Sequence, residues 1–105
     1  EDGSGASLAY LTGSDLAQST GNVLLSDDVG NGSDESSAGT LWLFNPSNTT
    51  YVKHWYSRIN NHTSGDESDE MFTAGYFNTT SAINAVIFQA NSGNMDGTIK
   101  MYGVG

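Results

Sequence analysis

The chain has 105 residues, no cysteine, and three Lys/Arg against 12 Asp/Glu, for a formal net charge of −9. Missing thiols exclude disulfides and Cys-based zinc or iron–sulfur chemistry. The three scattered cations, Lys53, Arg58 and Lys100, exclude a phosphate-neutralising nucleic-acid surface and attachment to an anionic membrane. One small domain fits this length. Leu, Ile, Val and Phe total 20 residues, at the border of disorder, and the charge pushes the same way. Against that stand 11 large aromatics and four alternating segments, so a folded chain with a thin core is expected, with help from neighbouring subunits. No apolar run is long enough to span a membrane, the longest being Ala85-Val86-Ile87-Phe88. No stretch reads as a signal peptide. A start at Glu1 rather than Met is expected of a trimmed or processed chain, or of part of a longer polypeptide.

Residues 1–7 read as a linker, residues 8–11 as a short strand and residues 14–19 as one helical turn capped by Ser14, too short to stand alone. Residues 22–25 form a weak strand pattern, and residues 26–39 a polar, acidic surface loop. From Thr40 the pattern sharpens. Thr40, Trp42 and Phe44 share one face and Leu41 and Leu43 the other, which predicts a central strand buried on both sides. Asn45-Pro46-Ser47-Asn48 is a turn, because Asn side chains bond nearby backbone and Pro fixes φ. Residues 51–59 follow as a strand, residues 60–70 as a second acidic loop, and residues 71–77 as a strand. Ser64-Gly65-Asp66-Glu67 matches a helix capping box, but Gly75, Tyr76 and Phe77 interrupt any helix after it. Residues 83–90 and 98–104 alternate on either side of a Gly/Asn turn and predict a closing hairpin.

Short strands separated by turns, without a convincing helix, predict an all-β fold. The expected architecture is an antiparallel β-sandwich of jelly-roll type. It divides into a loosely structured arm over residues 1–39 and a sandwich core over residues 40–105.

The closing stretch INAVIF…NSGNMDGTIKMYGV resembles the last hairpin of a β-sandwich module of tailed-phage virion structural proteins, marine and cyanophage-type ones especially. In that module a segment of the type I-N-x-I-x-F-x-x-S-S-G-N-I-x-x-G-T-I-x-L-Y-G-I ends the chain. GTLWLFNPSNTTYVKHWYSRI (residues 39–59) is similar to the module's middle hairpin, and MFTAGYFNTTSAINA (71–85) to the segment leading into the last one. SGASLAYLTGSDLAQSTG (4–21) is of the same style. Order and spacing agree as well as composition. Such modules carry further strands before this region and lack the acidic stretch 26–35, so completion of the sandwich by a neighbouring subunit is expected. The resemblance implies a structural component on the exterior of a virion, either a capsid decoration (cement) or fibre protein or a tail-fibre module. It works by assembly with other virion proteins and with itself, a trimer being favoured. Trp42, Phe44, Phe88, Ile99, Met101 and Tyr102 are the principal packing residues, joined by Leu41, Leu43, Trp55, Tyr76, Ile83 and Val86.

Chemistry-bearing patterns are weak. No G-x-S-x-G occurs, and His54 and His62 read as a strand residue beside Tyr56 and a solvated loop residue. No catalytic residue, cofactor or metal site is assigned, and the chain is read as a non-enzyme. An EF-hand frame from Asp27 places Gly32 correctly but fails at Val29 and Ala38. Asp66, Glu67, Asp69 and Glu70 offer hard oxygens for Ca²⁺, although solvated loops explain both acidic runs more simply. Sequons at Asn31, Asn48, Asn61 and Asn78 matter only in a secretory pathway. The alternative function is a carbohydrate-binding module for host-surface adhesion. In it Trp55, Tyr56 and Tyr76, with Trp42, supply stacking surface, and Asn61 and His62, with Asn60, supply polar contacts. The competing reading places the Trp side chains in a small core.

Overall fold

The computed structural model describes residues 5–105, and among them there is no α-helix. Three strands, β1 (Ser36–Leu43), β2 (Lys53–His62) and β3 (Ser68–Phe77), form one antiparallel sheet in the order β1-β2-β3. The all-β expectation therefore holds, as a single small sheet. The linker reading of residues 1–7 falls partly on residues 1–4, which lie outside the described residues.

Register assigns the two faces. Leu43 pairs with Trp55 and Trp55 with Gly75; Leu41 pairs with Ser57 and Ser57 with Thr73. Directly opposed residues project to the same side, so these side chains share one face with Lys53, Ile59, Asn61, Met71 and Phe77. That inner face is the buried one, and β2 alternates cleanly between buried and exposed positions along it. Trp55, 8% exposed, is its aromatic centre. The indole lies on Gly75, where an added Cβ would come within 2.8 Å of the ring; Gly39 likewise brings β1 close against the Arg58 carbonyl and Ile59.

The polar residues at the two ends of this face, Lys53 and Asn61, are satisfied by the connecting segments, whereas Ser57 Oγ between them is buried without a hydrogen-bond partner among the described residues. Lys53 is 1% exposed. Its Nζ donates to the carbonyls of Asn48 (3.1 Å), Tyr51 (3.3 Å), Thr79 (2.7 Å) and Ser81 (2.6 Å). One ammonium thus clips the β1–β2 turn to the segment leaving β3. Ile83 N–H closes the same corner by donating to Pro46 O (2.8 Å). At the other end Asn61, 2% exposed, accepts from Ser26 Oγ (2.7 Å) and donates to Asp27 O (3.4 Å). Ser64 N–H and Oγ donate to the Asp28 carbonyl and carboxylate (3.1 and 2.9 Å). The acidic stretch is therefore docked onto the sheet over residues 26–28, where a free surface loop was expected.

Both turns are built by side-chain acceptors. Asn48 Oδ1 accepts from the backbone N–H of Thr50 and Tyr51 (2.7 Å each), and Asn45 sits at φ 45°, a left-handed conformation Asn tolerates. Thr63 Oγ1 accepts from Gly65 and Glu67 (3.3 Å each), while Thr63 N–H donates to Glu67 O (2.9 Å). This tight link lets β2 run to His62 and β3 start at Ser68, so most of the predicted loop 60–70 is strand. Ser64 to Glu67 belong to the turn and cap no helix.

Other expectations are corrected. The strand from Thr40 begins at Ser36, inside the predicted arm, and lies at an edge; β2 is central. The helical turn at 14–19 is replaced by a 3₁₀ turn at Thr12–Ser14, with Tyr10 Oη donating to Asp15 (2.8 Å) and the phenol's pKa raised by that bond. Residues 8–11 and 22–25 are not strands. The closing hairpin is not formed either; residues 83–105 carry no regular secondary structure. A two-stranded ribbon packed against no third strand or face is marginal in water, and residues 83–105 join neither edge of the sheet. Accordingly Ile99, Met101 and Tyr102 are exposed and Phe88 nearly half so, while Trp42 and Phe44 also face solvent. None of these six packs into a core within one chain.

Openness is measurable. The chain exposes 8716 Å², whereas a compact monomer of its 11.1 kDa mass exposes about 5,700 Å². Its radius of gyration is 15.5 Å, against about 13 Å for a compact domain of this length.

Replacing Lys53 by Met keeps the apolar stem and removes the donor that four carbonyls share. Urea unfolding is expected to show a loss of about 2–3 kcal/mol with m unchanged; a midpoint equal to the parent's would contradict the clip.

Candidate functional site

The outer face of the sheet is where aromatic side chains meet solvent. Register places Trp42 opposite Tyr56 and Tyr56 opposite Ala74; Thr40, Arg58 and Phe72 form the next row, and Ala38, Asn60 and Glu70 the one after. Phe44, just past β1, donates its N–H to His54 O (3.0 Å), and His54 pairs with Tyr76. Five aromatics from three strands thus share one surface, each between 43% and 67% exposed.

Tyr56 is the hub of this surface. Its ring centroid lies 6.1 Å from Trp42 and 5.7 Å from Phe44, with interplanar angles of 31° and 35°. These tilted contacts lie within the separations that the ring quadrupole favours. His54 and Tyr76 make a second pair at 5.9 Å. Beyond Tyr56 the aromatic surface turns polar. Arg58 Nε donates to Glu70 Oε1 at 2.6 Å, and the guanidinium carbon stands 5.3 Å from the Phe72 ring centroid. Asn60 Nδ2 donates to Asp69 O (3.1 Å). Because β1 offers only Ala38, Gly39 and Thr40 opposite these long side chains, a shallow open depression of about 520 Å³ lies between Trp42 and Glu70.

The residues proposed from sequence for glycan contact are divided by the sheet. Tyr56 and Tyr76 share the outer face, and His62 ends β2 on the same side, partly buried, with Nδ1 unbonded. Trp55 and Asn61 have the opposite parity and lie buried beneath. Trp55→Ala is consequently a test of folding, not of ligand contact. Trp42 and Phe44, expected as packing residues, belong to this surface, and Phe72, Arg58 and Glu70 were missed. The missing signal was register: once β2 pairs with β3, Arg58 must face Phe72 and abut Glu70. Glu70 also corrects the reading of residues 60–70 as a solvated acidic loop, since it lies on β3 opposite Asn60, one row from Arg58 and Phe72. Asp69 and Glu70 point to opposite faces, and among the described residues no three His, Asp or Glu side chains converge.

No family model matches the chain, and neither a curated protein nor a solved structure shows significant similarity to it.

The hydrogen bond from Arg58, reinforced by its charge, lowers the Glu70 pKa. The pairing is therefore present above the carboxyl's ordinary range and is lost as pH falls through the lowered folded value. In a ¹³C titration Glu70 is expected to protonate below the ordinary glutamate range, and Arg58→Gln to return it upward. A Glu70 curve indifferent to Arg58→Gln would contradict the pair.

Proposed function

We propose that this chain is a structural component of a tailed-phage virion exterior, a capsid decoration or fibre protein or a tail-fibre module. It acts by oligomeric assembly with itself and other virion proteins. In this reading the three-stranded sheet is half of an antiparallel sandwich of jelly-roll type, completed by a neighbouring subunit. The observation that carries the reading is the surplus surface. About 3,000 Å² more is exposed than a compact monomer of this mass leaves in water, a quantity in the range that obligate interfaces bury. It is also apolar: Ile87 and Met101 are 84% and 85% exposed, and Trp55 is the only large apolar side chain fully buried among the described residues. The ordered likeness of residues 39–59, 71–85 and 83–104 to a phage module supplies the biological setting. The net charge of −9 suits an exterior surface, since it keeps assembled particles apart.

A second reading, carbohydrate binding for host-surface adhesion, is favoured by one observation, the open aromatic face around Tyr56. Ring faces accept the C–H side of a pyranose, while Arg58, Glu70 and Asn60 stand at the rim to engage hydroxyls.

Sedimentation and light scattering at rising concentration are expected to show a discrete homo-oligomer, with a trimer as the leading size. A strict monomer at about 100 μM, far above the range of specific assembly, would overturn the first reading. For the second, a glycan array is expected to show binding that Tyr56→Ala and Phe72→Ala abolish with circular dichroism unchanged. Binding indifferent to both substitutions would remove the aromatic face from consideration.

A further inference from the structure

We propose that residues 83–90 of one copy add as a strand to the open edge of β1 in a second copy. The inference rests on the assembly reading and specifies its contact.

The donor is marked by its unspent backbone. Every strand has its ladder and the turns have their own bonds, while the arm, without backbone pairs over residues 16–27 among the described residues, is docked at Ser26 and Asp27 by the Asn61 side chain. From Asn84 to the C-terminus, by contrast, no backbone group bonds to another among the described residues; the last such bond is Ile83 N–H to Pro46 O. Yet residues 83–90, Ile-Asn-Ala-Val-Ile-Phe-Gln-Ala, have a β-branched and aromatic composition that favours a strand. A segment of this kind gains ladder hydrogen bonds only by joining an existing sheet edge.

Two edges are open, and charge chooses between them. Residues 83–105 contain one acid, Asp96, and one base, Lys100, so this segment is neutral while the remaining residues carry the whole −9. The β1 strand, Ser-Ser-Ala-Gly-Thr-Leu-Trp-Leu, has no charged residue and no proline, and so lacks the usual guards against edge pairing. The β3 edge opens with Asp69 and Glu70. In a chain that otherwise repels its copies, joining the neutral segment to the neutral edge brings the fewest like charges together. The whole chain's surplus surface of about 3,000 Å² leaves ample area for a contact of this kind.

The absence of cysteine makes the contact addressable. Thr40→Cys places a thiol at mid-β1, Ala74→Cys one on β3, and Ile87→Cys one in the donor segment; all three positions are exposed. Equimolar mixtures of singly substituted chains are treated with a short bismaleimide at the concentration where light scattering shows oligomers. The Thr40→Cys and Ile87→Cys mixture is expected to yield heterodimeric product about tenfold above the Ala74→Cys and Ile87→Cys mixture, since paired strands hold the thiols at millimolar effective concentration. Hydrogen exchange on the unsubstituted chain is the independent measurement. Amides of residues 83–90 are expected to gain protection in step with assembly. Oligomers that form without the preferred link and without that protection overturn this contact and leave the assembly reading standing. So does preferential linkage to β3, or linkage seen only within one doubly substituted chain. A chain that stays monomeric overturns both.

Discussion

Everything in this fold depends on how the two ends of the central strand's buried polar face are satisfied. β2 carries Lys53, Ser57 and Asn61 on the side that faces away from water, and of these Ser57 Oγ alone has no hydrogen-bond partner among the described residues. Burying an ammonium without partners is prohibitive, and here, among the described residues, the partners are carbonyls rather than a carboxylate. Four of them, from the β1–β2 turn and from the segment beyond β3, surround Nζ. Asn61 does the corresponding job at the other end, binding the acidic stretch at Ser26 and Asp27. Between them Trp55 rests on Gly75. Two polar clips and one indole hold the connecting segments to one face of a sheet that has little aliphatic core to offer.

That economy determines the other face. With the connections drawn to the inner side, the outer side is left uncovered, although Trp42, Phe44, Tyr56, Phe72 and Tyr76 all project from it. Antiparallel sheets commonly leave one face to water, but then with polar residues on it. Here the exposed side is the more aromatic of the two, and its polar groups gather in the Arg58, Asn60 and His62 rows, with His54 set beside Tyr76. Such a surface is complete only in contact with something, whether a ligand or another protein.

Charge and hydrophobicity are also separated along the chain. Eleven of the 12 acids lie within the first 70 residues, and residues 83–105 carry no net charge. Repulsion between copies therefore does not extend to the segment most in need of a partner. A chain organised in this way stays dispersed through its acidic regions and associates through its neutral ones.

The amino-acid sequence by itself determined the class of structure and its principal turns. Alternation around Trp42, Trp55 and Tyr76, with Asn48 ready to bond backbone, was enough to place three strands and the link between the first two. It misjudged residues 60–70, because polarity reads as loop when a strand's exposed side is polar. It also promised a closing hairpin, because period-two alternation reports a segment's fitness for a sheet and says nothing about whether an edge is available. Only the tertiary structure decided that β2 is central, that Trp55 and Asn61 lie opposite Tyr56 and Tyr76, and that Arg58, Glu70 and Phe72 meet. Those outcomes follow from register, which is fixed by pairing between distant residues, and a one-residue slip exchanges the two faces. A buried lysine with four carbonyl partners has the same origin. Its acceptors lie 2 to 28 positions away, and no local pattern announces them.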